Sequence, residues 1–187
     1  MKNQDQIVRL ASETAAREAV RITHELWELE KKKEVKRRVD RRLRNTKLLL
    51  DNYRSFVAHV RFAVYGKDDI GEESAIYLLD MIDVYDGMDN VAIESIKRSS
   101  ARTAIIVAHI EEMLGVYKAM CEASGKPEVL RRYRIINALY VEDEQVSIQD
   151  IAEREFVDQR TVYRDRDVAF ERLAALFFGI DGMQNRR

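Results

Sequence analysis

The chain has 187 residues, 46% of them apolar and 35% charged, with seven Gly, one Pro, one Cys and a formal net charge of −1. This content excludes a disordered or collagen-like polymer, because it holds enough apolar residues to build a core. Cys121 has no cysteine partner, no Cys/His spacing suits zinc, and no apolar run approaches the roughly 20 residues of a membrane span; a soluble protein of the reducing cytoplasm is expected, with no membrane partner.

Neither Gly nor Pro occurs in residues 1–65, so long helices are expected at the start. Val8, Ala11, Ala15, Ala19, Ile22, Leu26 and Leu29 step by three and four along one helical stripe. Lys33 and Lys36 interrupt it. The steps resume at Val39, Leu43, Thr46, Leu50, Tyr53, Val57, Val60 and Val64, a heptad-like seam that calls for a second helix, either from another copy as a coiled coil or from the same chain as a hairpin. Gly66, Asp68, Asp69 and Gly71 read as a turn. A shorter helix is predicted around residues 74–84, a loop near Asp86, Gly87 and Asn90, and a longer helix from Val91 to Ala123 with Ile93, Ile96, Val107, Ile110, Leu114, Tyr117 and Cys121 on its apolar side. Gly125 and Pro127 end that helix.

After Pro127 the elements shorten. Glu128 to Val141 reads as a helix, and Ser147 with Asp150 forms a capping-box variant that opens a second one with Ile148, Ile151 and Ala152 as its apolar face. Phe156, Val157 and Asp158 make the break, Asp158 caps a third helix, and that helix runs from Gln159 to about Phe178, where Gly179 stops it. Val162, Ala169, Phe170, Leu173, Leu176 and Phe177 form its buried side. The predicted fold is all-α, with three regions: a basic helical arm for oligomerisation (1–65), an acidic helical middle (66–126) and a helix-turn-helix domain (127–187).

The near-zero net charge conceals segregation. Residues 1–65 carry 16 basic and 9 acidic groups, residues 66–124 carry 5 and 12, and residues 31–47 alone hold ten Lys and Arg against Glu34 and Asp40. Such a run attracts nucleic acid by counterion release, with Lys36 and Arg37 as phosphate contacts, or pairs with the acidic middle segment as a solvated face. At the third helix the chemistry is more specific. Only the first turns of such a helix reach base edges in the major groove, and Gln159, Arg160, Tyr163 and Arg164 stand there, beside Thr161. Ser147, at the start of the preceding helix, is a further phosphate candidate.

The stretch SIQDIAEREFVDQRTVYRDRDVAFERLAALFFGIDG, preceded by RRYRIINALYV, resembles the helix-turn-helix of phage and prophage transcription regulators related to the fourth region of bacterial sigma factors. Ile151 and Ala152 match the Ile-Ala of its first helix, and Thr161, Val162, Tyr163 and Arg164 its Thr-Val-Tyr-Arg; the resemblance covers residues 128–182. It implies double-stranded DNA as partner, with Gln159, Arg160, Tyr163 and Arg164 facing bases and Thr161 near phosphate. Two positions depart from the pattern: Phe156 stands where small residues or Gly are usual, and Arg166 where an aliphatic residue is often buried. A small, DNA-packaging terminase subunit is also compatible with long arms, although those usually carry the reader near the N-terminus.

Catalytic signals are poor. His24, His59 and His109 are dispersed, and His109 with Glu112 lacks the further ligand or nucleophile that metal or triad chemistry needs. Asp80, Asp83, Asp86 and Asp89 recur every third residue, whereas a calcium loop needs acids at alternate positions. Cys121 falls on an apolar stripe, as packing rather than as a nucleophile. No enzyme activity, metal or cofactor is expected. The expected function is sequence-specific DNA binding by a transcription regulator, with RNA polymerase and a second copy of the chain as further partners; the competing class is a helical interaction protein without specific DNA.

Overall fold

The computed structural model describes residues 2–62, 75–84 and 88–179. The turn expected at Gly66, Asp68, Asp69 and Gly71, the loop residues Asp86 and Gly87, and Val64 at the end of the seam lie outside them, as do the side chains of Val8 and Ala11. The described residues are helical, with no strand among them. The helices are α1 (Lys2–Phe62), α2 (Ala75–Val84), α3 (Asp89–Lys97), α4 (Ser100–Ala123), α5 (Pro127–Ile136), α6 (Ile148–Arg154) and α7 (Gln159–Phe178), and α5 runs on into a π turn, Asn137–Val141. The chain divides into two compact units, Met1–Val39 and Asp40–Arg187.

The first unit is helix alone. Its support is local: Arg21 pairs with Glu18 and, at 2.9 Å, with Glu25, Lys33 pairs with Glu30 at 2.9 Å, and Arg37 pairs with Glu34. These exposed pairs three and four residues apart are screened by water and contribute little. From Ser12 to Arg38 no side chain is buried, and Val20, Ile22, Leu26, Trp27 and Leu29 all face solvent.

The second unit holds the core. Leu49, Leu50, Tyr53 and Phe56 of α1 share one buried cluster with Leu78, Leu79 and Ile82 of α2, Ile93 and Ile96 of α3, and Ile106, Ile110, Leu114 and Tyr117 of α4. The Tyr53 hydroxyl donates to Glu111 at 2.9 Å, and Lys97 donates to Ser55 at 2.8 Å. The seam from Leu43 to Val60 is therefore covered from within the chain, by α2, α3 and α4, and not by the second copy that the heptad-like pattern favoured. The cluster also takes in Ile136, Ala169, Phe170, Leu173 and Phe177, so the core crosses the boundary expected at Pro127.

Three predicted elements differ in detail. The helix expected from Val91 to Ala123 is two helices, broken at Arg98 and Ser99: Ser99 is extended and caps α4, its side chain accepting from the Arg102 N–H, while the buried Thr103 hydroxyl donates to the carbonyls of Ile96 and Ser99 at 3.1 and 3.0 Å. A capping serine and a threonine that takes up the Ile96 carbonyl near the end of α3 make the break more favourable than continuation. Asn90, expected in a loop, lies in the first turn of α3. The helix expected to reach Val141 changes to π geometry at Asn137, with the Glu142 N–H donating to the Asn137 carbonyl at 2.9 Å. Arg54 holds that turn open, donating to the carbonyls of Glu142 at 2.6 Å and Ala138 at 3.4 Å.

Candidate nucleic-acid interface

Two helices and the turn between them carry the candidate residues. Ser147 opens α6 with a complete capping box: the Asp150 N–H donates to Ser147 Oγ at 3.1 Å, and the Ser147 N–H donates back to the Asp150 carboxylate at 3.1 Å. Asp158 opens α7 in the same manner, accepting from the Thr161 N–H at 2.7 Å and from the Thr161 hydroxyl at 3.0 Å. Hydrogen bonds to the charged form hold both carboxyls below the usual carboxylate range, those from Ser147 for Asp150 and from Thr161 for Asp158.

Between the caps the chain turns through residues 155–158. The Val157 N–H donates to the Ala152 carbonyl at 3.0 Å, and Phe156 takes the left-handed conformation, with φ of 55°. Its ring is 95% exposed. The turn thus requires the backbone that a glycine would supply freely, and an aromatic residue occupies it without burying its side chain.

A small core of Ile135, Ala138, Ile151, Ala152 and Val162 fixes α6 against α5 and α7. Behind it, Asp165 is buried, its side chain 2% exposed, and binds two arginines of α5: Arg131 at 2.7 Å and Arg132 at 3.3 Å. Arg134 of α5 binds Glu155 in the turn through Nε, at 2.7 Å. The arginines of α5 therefore orient α7, and Asp165, which the sequence reading passed over, is the residue they grip. Its signal was a lone acid three residues after Val162 on the apolar side of the helix. Ile148 and Leu176 are only half-buried, while Ile151, Ala152, Ala169, Phe170, Leu173 and Phe177 are buried as expected.

With one side of α7 anchored, the other presents Gln159, Arg160, Tyr163 and Arg164 to solvent. They are brought together on the first two turns. Among the described residues neither Arg160 nor Arg164 has an ion-pair partner, which leaves their donors available. Arg166 behaves differently: its guanidinium lies 5.1 Å from the Tyr163 ring centre and 5.7 Å from that of Phe170, and pairs with Asp167 at 2.7 Å. At the position where an aliphatic residue was expected, the arginine stem and stacked guanidinium cover the same apolar surface.

The remaining candidates are placed less uniformly. The hydroxyl protons of Thr161 and Ser147 are directed at the capping carboxylates, Ser147 Oγ lying 2.6 Å from Asp150. Lys36 and Arg37 are exposed in the first unit, Arg37 paired with Glu34. Residues 31–33 and 36–38 are all exposed, whereas Arg41, Arg42 and Arg44 are half-buried and Arg42 donates to the Gly179 carbonyl at 3.2 Å. Residues 127–179 carry eight arginines, no lysine and eleven acids, so this segment is net negative. Cys121 is buried, with burial pushing its thiol up, and no group of three or more His, Cys, Asp or Glu among the described residues could hold a metal. Compared with family models, curated proteins and solved structures, the chain matches none.

Proposed function

We propose that the protein is a sequence-specific DNA-binding regulator in which α7 enters the major groove and reads bases through Gln159, Arg160, Tyr163 and Arg164. The observation that carries this reading is the two-sidedness of α7. Asp165 and the apolar residues anchor one side, and two unpaired arginines, a glutamine and a tyrosine occupy the first turns of the other. Arg bonds the O6 and N7 edge of guanine bidentately, Gln the N6 and N7 edge of adenine, and only the start of a helix comes close enough to do so. Thr161 lies at the same end, but its hydroxyl and N–H already bond the Asp158 carboxylate, so it contacts phosphate only by giving up that cap.

A net negative module obtains little affinity from charge. The exposed basic residues of 31–38, Lys36 and Arg37 among them, supply the sequence-independent attraction, so affinity and specificity reside in different parts of the chain. RNA polymerase is the partner through which such a regulator would act. A second reading, a helical interaction module without specific DNA, draws on that same acidity and on the solvent-facing Phe156. Enrichment of binding sites from a random duplex pool by the full chain decides between them. A single recurring motif supports the regulator, and uniform weak retention without a motif supports the interaction module.

A further inference from the structure

Among the described residues nothing covers the apolar helix face of the first unit, and its charges indicate what does. Ala15, Ala19, Ile22, Leu26 and Leu29 continue in steps of four and three to Lys33 and Lys36, and backwards to Ser12, a seam of about three and a half heptads. Ile22, Leu26 and Leu29 are 46%, 58% and 49% exposed, and the adjoining Val20 and Trp27 are exposed as well. Helices with no tertiary partner are marginal in water, and the local ion pairs add little. The apolar stripe of a helix that stands alone needs a partner helix.

We infer that residues 12–36 pair with the same residues of a second copy of the chain, as an antiparallel two-helix seam centred between Ile22 and Leu26. An in-register parallel pair would set Lys33 against Lys33 and Lys36 against Lys36 inside the seam, and would flank it with Glu25 against Glu30 of the other copy. The antiparallel pair removes the lysine clashes and leaves one glutamate contact, Glu25 against its own copy, in place of two between Glu25 and Glu30. Ile22 then faces Leu26, Ala19 faces Leu29, Ala15 faces Lys33 and Ser12 faces Lys36, so each lysine stem lies over a small residue with its ammonium free to reach water. Glu18 flanks Lys32 of the partner at both ends. Glu25 meets its own copy at the centre, where Arg21 already binds it at 2.9 Å. Small residues at one end and long ones at the other fill each other's space only when the strands run oppositely.

The test uses the full chain. Sedimentation equilibrium should give twice the chain mass, and Leu26→Asp should weaken association at least about a hundredfold, because two unpaired carboxylates enter the apolar seam of each dimer. Leu26 lies outside the core of the second unit, so that unit should keep its cooperative melting transition in the variant, while the helix signal of residues 12–36 falls along with association. Orientation is read by oxidation of single-cysteine variants, native Cys121 being buried. A mixture of Ala15→Cys and Lys33→Cys chains should cross-link as a mixed pair, and Ala15→Cys alone should not. Monomers at all concentrations, any mass other than two chains, an unchanged mass for Leu26→Asp, or a homotypic cross-link at residue 15 would each overturn the inference.

Discussion

Asp165 and Phe156 show at the residue scale how α7 is held. Asp165→Ala removes the acid that two α5 arginines share. Those arginines are 18% and 28% exposed, so water partly compensates them, and the expected loss is about 2–3 kcal/mol rather than the larger cost of a fully buried pair. Urea unfolding of the variant checks this; a loss below about 0.5 kcal/mol would mean the clamp is not holding α7. Phe156→Gly runs the other way. It relieves about 1–2 kcal/mol of left-handed strain and loses about 0.5–1 kcal/mol to chain entropy, so a net gain near 0.5–1 kcal/mol is expected. A melting temperature that rises by a few degrees agrees, and one that falls would show that the exposed ring makes a stabilising contact.

At the scale of elements, what was legible in the sequence was local. Ser147 with Asp150, Asp158 with Thr161, and Gly179 lie within a turn of the helix ends they define, so the limits of α6 and α7 could be read from the chain alone. The π turn at Asn137 and the burial of Asp165 depend on partners distant in sequence: Arg54 reaches Ala138 and Glu142, and Arg131 and Arg132 reach Asp165, whereas the break at Ser99 is held locally by Ser99 and Thr103 and was hidden by the apolar stripe that runs across it. A single-helix pattern carries no trace of such partners. The seam from Leu43 to Val60 was equally ambiguous, since an apolar stripe shows that it needs covering without showing by what. The caps also predict a pH dependence. Both carboxyls titrate lower in the folded chain than in the unfolded one, so their contribution is complete above the unfolded value and is lost as pH falls through the folded one, below about pH 4. Carboxyl carbon shifts of Asp150 and Asp158 followed by NMR should titrate below those of the other exposed aspartates. Midpoints in the ordinary range would remove the caps from the account.

At the scale of the whole molecule, the proposed function assigns attraction to DNA and discrimination between sequences to different parts of the chain. In that reading the exposed lysines and arginines of residues 31–38 supply attraction, and residues 159–164, within a segment of net negative composition, supply discrimination. Lys36→Ala should therefore weaken binding to all duplexes alike and reduce the salt slope by about one. The most direct measurement is the ratio of affinities for an enriched site and a scrambled duplex, at one salt concentration, for wild type and for Arg164→Ala. The account predicts that the substitution lowers this ratio by about 1–3 kcal/mol, while affinity for the scrambled duplex changes little. An undiminished ratio in Arg164→Ala would contradict the reading of sequence by α7.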